Sequence, residues 1–385
     1  MDFFSPDIPR IKIRLIYLFL ATLAALTLSA SAVADEVPLI GDKSAKCGKA
    51  PDVIYREVAP SIVQVFSFGI DPFKVANRVR AGTGSGIYLG NDLVATNFHV
   101  IVDSTAVGVG TDKGAFEAEI VGIDPIFDIS ILRVKGLSKL ISPMALAPSD
   151  EIVIGQAAYV IGFPLGIGKS ISTGIVSGVG RELPLNPSSW LSPYIQTDAP
   201  VSGGNSGGAL VNDCGYLIGI VALRGGGAEA ENIGFAIPAE TLRNELPELI
   251  KTGKIARPWY GLYGRMVDPV ILRLLGAPPS AAMSTHGFLV ETVEPGSAAD
   301  KAGIRGGTLP VQWGLQEMIL GGDIIVQVNG REIKSLEDAR YVVRNLKIGE
   351  TVKIKLLRDG KIVEVSAKME ERPILERDLE AYRHQ

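Results

Sequence analysis

Apolar and polar positions alternate in short runs along most of the chain, and the runs are separated by Gly, Asn, Asp and Pro. A two-residue period over four to eight positions is the mark of a half-buried strand. One set of six such runs covers residues 61–67, 82–88, 93–96, 106–109, 118–123 and 129–134. A second set covers 157–161, 171–179, 194–197, 208–211, 217–223 and 232–237. Turn residues, rather than helical stretches, connect them, which predicts two six-stranded β-barrels in tandem instead of alternating βαβ units. The first helical period lies at 238–251, where Leu242, Leu246, Leu249 and Ile250 share a face and Gly253 supplies a stop; 254–258 reads as a linker.

Beyond Pro258 the pattern changes to that of a small α+β module. Strands are expected at 287–293, 323–330, 351–357 and 362–369, and a short helix at 297–303. Ser335 and Asp338 form a capping box ahead of a helix that carries Leu336, Ala339, Val343 and Leu346 on one side. Asp359-Gly360 between two alternating runs predicts a tight hairpin. The last stretch, 373–385, is rich in charge and is expected to fray.

The N-terminus has another character. Arg10, Lys12 and Arg14 precede an apolar run at 15–28, followed by Ala32-Val33-Ala34. This is the layout of a secretory signal cleaved after Ala34, and the run is short of the ~20 residues of a membrane span. A bacterial periplasm is the expected destination; the alternative is an uncleaved anchor. The formal charge of −4 includes three basic and two acidic residues of the signal, so the mature chain carries about −5. No cluster of Lys or Arg points to nucleic acid or to an anionic membrane. Cys47 and Cys214 form neither a disulfide framework nor a zinc spacing; they are expected to be unpaired, the alternative being a bond that ties the N-terminal segment to the second barrel, which an exported protein could keep.

The chemistry centres on Gly203-Gly204-Asn205-Ser206-Gly207-Gly208, where four glycines flank one hydroxyl. Such a loop can aim several backbone N–H groups at one point, as an oxyanion hole requires. A Gly/Asn/Ser run is also the composition of a plain surface loop. Histidine separates the two readings, because the chain holds only His99, His286 and His384, and only His99 lies in the double-barrel region. A hydroxyl nucleophile needs a base of near-neutral pKa. Asp128 is the favoured third partner, with Asp124 and Asp103 as competitors. The order His99, Asp128, Ser206 is that of the chymotrypsin arrangement; a G-x-S-x-G elbow on an α/β-hydrolase would need its histidine after the serine.

These motifs resemble those of the HtrA/Deg serine proteases: Thr96-Asn97-Phe98-His99-Val100, Asp128-Ile129-Ser130-Ile131-Leu132, and Gly204-Asn205-Ser206-Gly207-Gly208-Ala209-Leu210. Gly82-Thr83-Gly84-Ser85-Gly86 and Gln196-Thr197-Asp198 match as well, and the resemblance spans about 55–370. It implies a mainly β fold, a trypsin-like double six-stranded β-barrel followed by one small α+β PDZ domain. The expected division is a signal peptide at 1–34, an N-terminal segment at 35–54, the protease domain at 55–245, a helix end and linker at 246–257, the PDZ domain at 258–372, and a charged tail at 373–385.

The resemblance further implies catalysis by His99, Asp128 and Ser206, with the N–H groups of Gly204 and Ser206 as the oxyanion hole and no cofactor or metal. The S1 pocket is expected from 220–223, Ile233 and 201–203, without a buried carboxylate, favouring small or medium aliphatic residues. Trp259-Tyr260-Gly261-Leu262 stands where a PDZ domain holds a peptide carboxylate, so Tyr260, Gly261 and Leu262 are the expected contacts for hydrophobic C-termini. Unfolded or misfolded exported proteins are the implied substrates and a homotrimer the implied assembly. The non-enzyme alternative is a PDZ-regulated chaperone with an idle protease domain. Two stretches depart from the family pattern: Val201-Ser202-Gly203 replaces the usual Ile-Asn-Pro, and 305–320 is an insertion.

Overall fold

The computed structural model describes residues 38–70, 75–76, 78–147, 152–181, 194–224, 232–267, 286–313 and 316–383. The expected signal sequence, Glu229 and His384 lie outside them. Six strands close the first barrel: β1 (Ile62–Ile70), β2 (Val79–Gly90), β3 (Leu93–Thr96), β4 (Ala106–Thr111), β5 (Gly114–Asp124) and β6 (Ile129–Arg133), paired in the order β1-β2-β3-β6-β5-β4. The second barrel has β7 (Ala157–Gly162), β8 (Ser170–Arg181), β9 (Tyr194–Thr197), β10 (Ala209–Val211), β11 (Leu217–Arg224) and β12 (Gly234–Pro238), closed as β10-β11-β12-β9-β8-β7. Closure leaves neither barrel a free strand edge.

Each barrel has its own apolar core. Val65, Tyr88 and Leu132 fill the first, and Val160, Ile195 and Val221 the second. A third cluster runs between them, from Ile87 and Ile131 through Ile161 and Ile220 to Leu242 and Leu249. The two barrels therefore share one buried seam, and loops from both sides meet over it.

The first and third helices of the chain seal that seam. Helix α1 (Pro51–Val58) buries Ile54 and Val58. It lies ahead of the first expected strand run, where no helix was expected, and Pro51 at its first position starts it at little cost. Helix α2 (Phe98–Ile101) is a single turn carrying His99. Helix α3 (Ala239–Thr252) buries Leu242, Leu246 and Leu249 and ends on Gly253, whose left-handed φ of 79° lets its N–H reach the carbonyl of Leu249. Gly122 permits the close approach of this helix to β5, since a Cβ there would sit 2.6 Å from the Leu249 carbonyl oxygen. The expected boundaries 54/55 and 245/246 fall inside α1 and α3, the latter packing on the barrels as far as Leu249.

The cysteine expectation is also corrected: Cys47 and Cys214 form a disulfide. The reason is local pairing invisible at a separation of 167 residues. Ile40 and Leu217 both bridge Leu146, which lays the N-terminal segment beside β11. The N–H of Lys49 then donates to the Asp213 carbonyl at 3.1 Å, bringing Cys47 onto the turn that holds Cys214.

The C-terminal module is a sheet ordered β13 (Leu262–Val267), β14 (Gly287–Val293), β17 (Ile324–Val328), β19 (Thr351–Arg358) and β20 (Lys361–Lys368), with β18 (Arg331–Glu332) paired to β17. The insertion forms a hairpin of its own, β15 (Leu309–Trp313) with β16 (Gln316–Leu320). Helix α4 (Ala298–Lys301) follows Ser297, and helix α5 (Leu336–Asn345) begins with the anticipated capping box of Ser335 and Asp338. Asp359 and Gly360 have φ of 48° and 74°, the pair of positive values that a type I′ turn needs. The tail expected to fray is a helix, α6 (Glu376–Arg383), with Asp378 and Tyr382 buried.

Candidate active site

His99, Asp128 and Ser206 come from three elements that the shared seam brings together. His99 sits on the α2 turn directly after β3, whose four residues are all buried. Asp128 ends the turn between β5 and β6 with a left-handed φ of 56°, a conformation Asp adopts more readily than most residues. Its carboxylate takes both donors of the histidine: the backbone N–H of His99 at 2.9 Å and ring Nδ1 at 2.7 Å. Its carbonyl in turn accepts from the Asn97 amide at 2.9 Å and the Phe98 N–H at 3.2 Å. Four hydrogen bonds thus lock α2 to the β5–β6 turn, and Asp128 is only 2% exposed.

Burial on this scale has an electrostatic signature nearby. Tyr194 lies in the same apolar seam, and its hydroxyl pKa is raised far above the ordinary value by burial, with a further push from the negative charges of Asp128 and Asp124. A buried carboxylate is tolerated when its hydrogen bonds replace water. Asp128 meets that condition through the histidine.

The two rival aspartates are occupied elsewhere. Asp124 receives the Arg257 guanidinium on both oxygens, at 2.8 and 2.7 Å, and the Ile126 N–H at 3.0 Å. Asp103 is exposed beyond the α2 turn. His286 is exposed ahead of β14, in the C-terminal module.

Ser206 lies in a loop whose shape depends on glycine. Gly204 has φ of 90°, and a Cβ on it would meet the Phe163 carbonyl oxygen at 2.3 Å. Gly207 has φ of 81°, and its Cβ would lie 2.1 Å from the Ser85 carbonyl oxygen. The loop is stitched to its surroundings by Ser85, a residue of the Gly82–Gly86 motif with no role foreseen in the sequence. Its hydroxyl donates to the Gly204 carbonyl at 2.7 Å and accepts the Phe163 N–H at 2.9 Å, and its own N–H donates to the Ser206 carbonyl at 2.7 Å. Thr96 adds a bond from its hydroxyl to the Ser85 carbonyl at 2.7 Å. The Gly203 carbonyl is turned toward Leu165, accepting its N–H at 2.7 Å, and the N–H of Asn205 is used by the Ser202 carbonyl. Among the described residues, the N–H groups of Gly204 and Ser206 take part in none of these bonds.

The Ser206 hydroxyl itself donates to the Ala222 carbonyl on β11 at 3.2 Å rather than to His99. Of the segments expected to line the S1 pocket, Ile220 is buried in the seam between the barrels and Val221 in the second barrel core, and Ala222 contributes this acceptor.

In the C-terminal module, Tyr260, Gly261 and Leu262 lead into β13, which is the edge strand of its sheet. Gly261 is buried with φ of 64°, and a Cβ there would fall 2.0 Å from that of Ser297. The carbonyls of Trp259 and Tyr260 accept from the Ala298 and Ala299 N–H groups of α4, which pins the loop. Between β13 and α5 lies an apolar groove walled by Tyr260, Leu262, Phe288, Val342 and Leu346.

Comparison with known proteins gives both units relatives. The trypsin-like peptidase domain family matches residues 84–220 and the PDZ domain family residues 274–369. The chain is 33% identical over 374 residues to the periplasmic pH-dependent serine endoprotease DegQ of Escherichia coli, spanning 91% of this chain and 77% of that protein. It is 30% identical over 329 residues to the chloroplastic Protease Do-like 1 of Arabidopsis thaliana, spanning 83% and 71%. The solved HtrA-type protease AlgW with decapeptide superposes with a TM-score of 0.65 at 27% identity, over 84% of this chain and 98% of that one. A serine endoprotease from Yersinia pestis gives a TM-score of 0.62 at 27% identity, over 85% and 100%.

Proposed function

Since the chain belongs to the HtrA/Deg family of serine endopeptidases, we propose that it cleaves unfolded or damaged exported proteins through His99, Asp128 and Ser206. The observation that carries this reading is the two-point grip of Asp128 on His99, through the backbone N–H at 2.9 Å and Nδ1 at 2.7 Å. That grip fixes the tautomer, with the proton on Nδ1 and the lone pair on Nε2. His99 then takes the Ser206 proton as the hydroxyl attacks a peptide carbonyl, and Asp128 stabilises the imidazolium. The N–H groups of Gly204 and Ser206 bind the oxyanion, an acyl-enzyme forms, and His99 returns its proton to the leaving amine. Water releases the acyl group by the same steps in reverse order.

The Ser206–Ala222 bond supports a resting state, because the hydroxyl must rotate away from Ala222 before His99 can take its proton. Ligand binding in the PDZ groove supplies the signal: a peptide adds to the edge of β13, its last side chain enters the apolar groove, and its carboxylate meets Gly261 and Leu262. The protease unit comprises α1 through α3 and the PDZ unit about 258–372. Periplasmic relatives such as DegQ support export by the N-terminal signal, and the family supports a homotrimer. Casein degradation, with and without peptides ending in a hydrophobic residue and beside a Ser206→Ala control, tests the proposal. Cleavage that needs Ser206 and rises with peptide is expected. Peptide binding without any Ser206-dependent cleavage would favour the chaperone alternative.

A further inference from the structure

The C-terminal segment returns to the catalytic histidine. After β20 the chain passes between the two units, where the N–H of Arg372 donates to the Arg257 carbonyl at 2.8 Å. The Arg372 guanidinium then holds both oxygens of Asp378, at 2.7 and 2.8 Å, and Asp378 accepts the Leu375 N–H at 2.8 Å, fixing the start of α6. Arg377 reaches the buried Glu294, which also accepts from the Trp259 indole and the Tyr263 hydroxyl of the PDZ unit. Charged bonds to a buried carboxylate make this a firm anchor rather than a surface contact.

One helical turn beyond that anchor, Tyr382 is buried at 4% exposure against α2. Its ring lies nearly parallel to the His99 imidazole, at 18° with centroids 6.3 Å apart, and meets Phe98 edge-on at 5.6 Å. Phe98 is on the Asp128 side of the site, since its N–H donates to the Asp128 carbonyl. Ser206 approaches from the other barrel. Tyr382 therefore lies over one face of the imidazole that Asp128 holds by its Nδ1 edge.

From this contact we infer that Tyr382 is a positioning residue for His99, carried to the site by an α6 strap anchored on the PDZ unit. The inference rests on the reading of His99 as the base. Because Tyr382 acts on the base and not on substrate, its loss is expected to lower kcat and leave KM unchanged. Aromatic pairing of this kind corresponds to about a 3–10-fold effect.

Full-length protein labelled at Ser206 with a fluorophosphonate probe gives the direct readout, beside peptide-hydrolysis kinetics and thermal melting. Tyr382→Ala should label about 3–10-fold more slowly, Tyr382→Phe should restore the rate to within about twofold, and removal of residues 376–385 should match Tyr382→Ala. Tyr382→Leu preserves buried apolar volume without an aromatic face, so it reports even where the alanine variant does not fold, and the same loss is expected. Labelling by the alanine, leucine or truncated protein at the wild-type rate, or faster, overturns the inference. A change confined to KM overturns it equally. Failure of the wild-type protein to label at Ser206 would instead sink the catalytic reading, and this inference with it.

Discussion

Reduction of the Cys47–Cys214 bond is expected to cost the protease unit a large part of its stability while leaving its site intact. The bond closes a loop with a sequence separation of 167 residues. In the chain-entropy account such a loop removes roughly 5 kcal/mol from the unfolded ensemble at 25 °C. That figure is an upper bound, because the N-terminal segment keeps other ties. Gly41 donates to the Leu146 carbonyl at 2.8 Å, Gly48 donates to the Asp213 carboxylate at 2.9 Å, and Ile54 stays buried in the core between the barrels. With a urea m-value of about 2.5 kcal/mol/M, the full effect corresponds to a midpoint shift of about 2 M. Urea unfolding of the wild-type protein with and without reductant, and of the Cys47→Ser/Cys214→Ser pair, measures it. The reduced protein and the double variant should agree with each other and unfold at least 0.5 M below the oxidised protein, with Ser206 labelling unchanged when folded. Equal midpoints, or two titratable thiols in the unreduced native protein, would refute the reasoning.

Glu245 shares the Arg257 guanidinium with Asp124, and burial together with the Asp124 charge pushes its carboxyl up to about 9. A folded-state pKa above the ordinary 4.5 means a proton held in the fold and lost from the unfolded chain, so this contribution is full below about 4.5 and disappears as pH rises toward 9. Urea midpoints should fall across that range, and Glu245→Gln should flatten the fall; identical slopes would reject the assignment. Gly207→Ala forces a side chain at φ of 81° into the Ser85 carbonyl, a backbone cost of about 1–3 kcal/mol before the clash is counted. It should lower the urea midpoint and abolish Ser206 labelling, and a variant that labels at the wild-type rate would show the loop is not so constrained. In the full-length Ser206→Ala protein, a peptide ending in a free aliphatic carboxylate should bind about 10–100-fold more tightly than its amide, the worth of a charge-assisted bond to the Gly261 and Leu262 N–H groups. Equal affinities by calorimetric titration would remove the carboxylate contact.

Much of this architecture was legible because its determinants are short-range. Strands show a two-residue period, Ser335 caps α5 through a residue three positions away, and Asp359-Gly360 selects its turn by tolerating positive φ. The candidate set His99, Asp128 and Ser206 was legible because histidine is scarce and the glycines around Ser206 leave few alternatives. What escaped depends on contacts distant in sequence. Asp124 and Asp128 differ by which partner each meets, Arg257 or His99, and spacing alone ranks them only loosely. The disulfide required Leu146 to bridge two segments, and Tyr382 required an anchor on Glu294. Helix α1 was missed because eight residues with only Ile54 and Val58 buried are too few to display a helical period. The Ser206 side-chain orientation is a rotamer choice that composition does not encode.

The central claim is that His99, Asp128 and Ser206 act as one unit, and the most direct test is the turnover of a fluorogenic peptide by His99→Ala, Asp128→Ala and the two combined. Removal of His99 should lower kcat on the order of 10⁶-fold, removal of Asp128 somewhat less, on the order of 10⁴, and the combination no more than His99→Ala alone. Wild-type turnover by either single variant, or a combined variant far below His99→Ala, would contradict it.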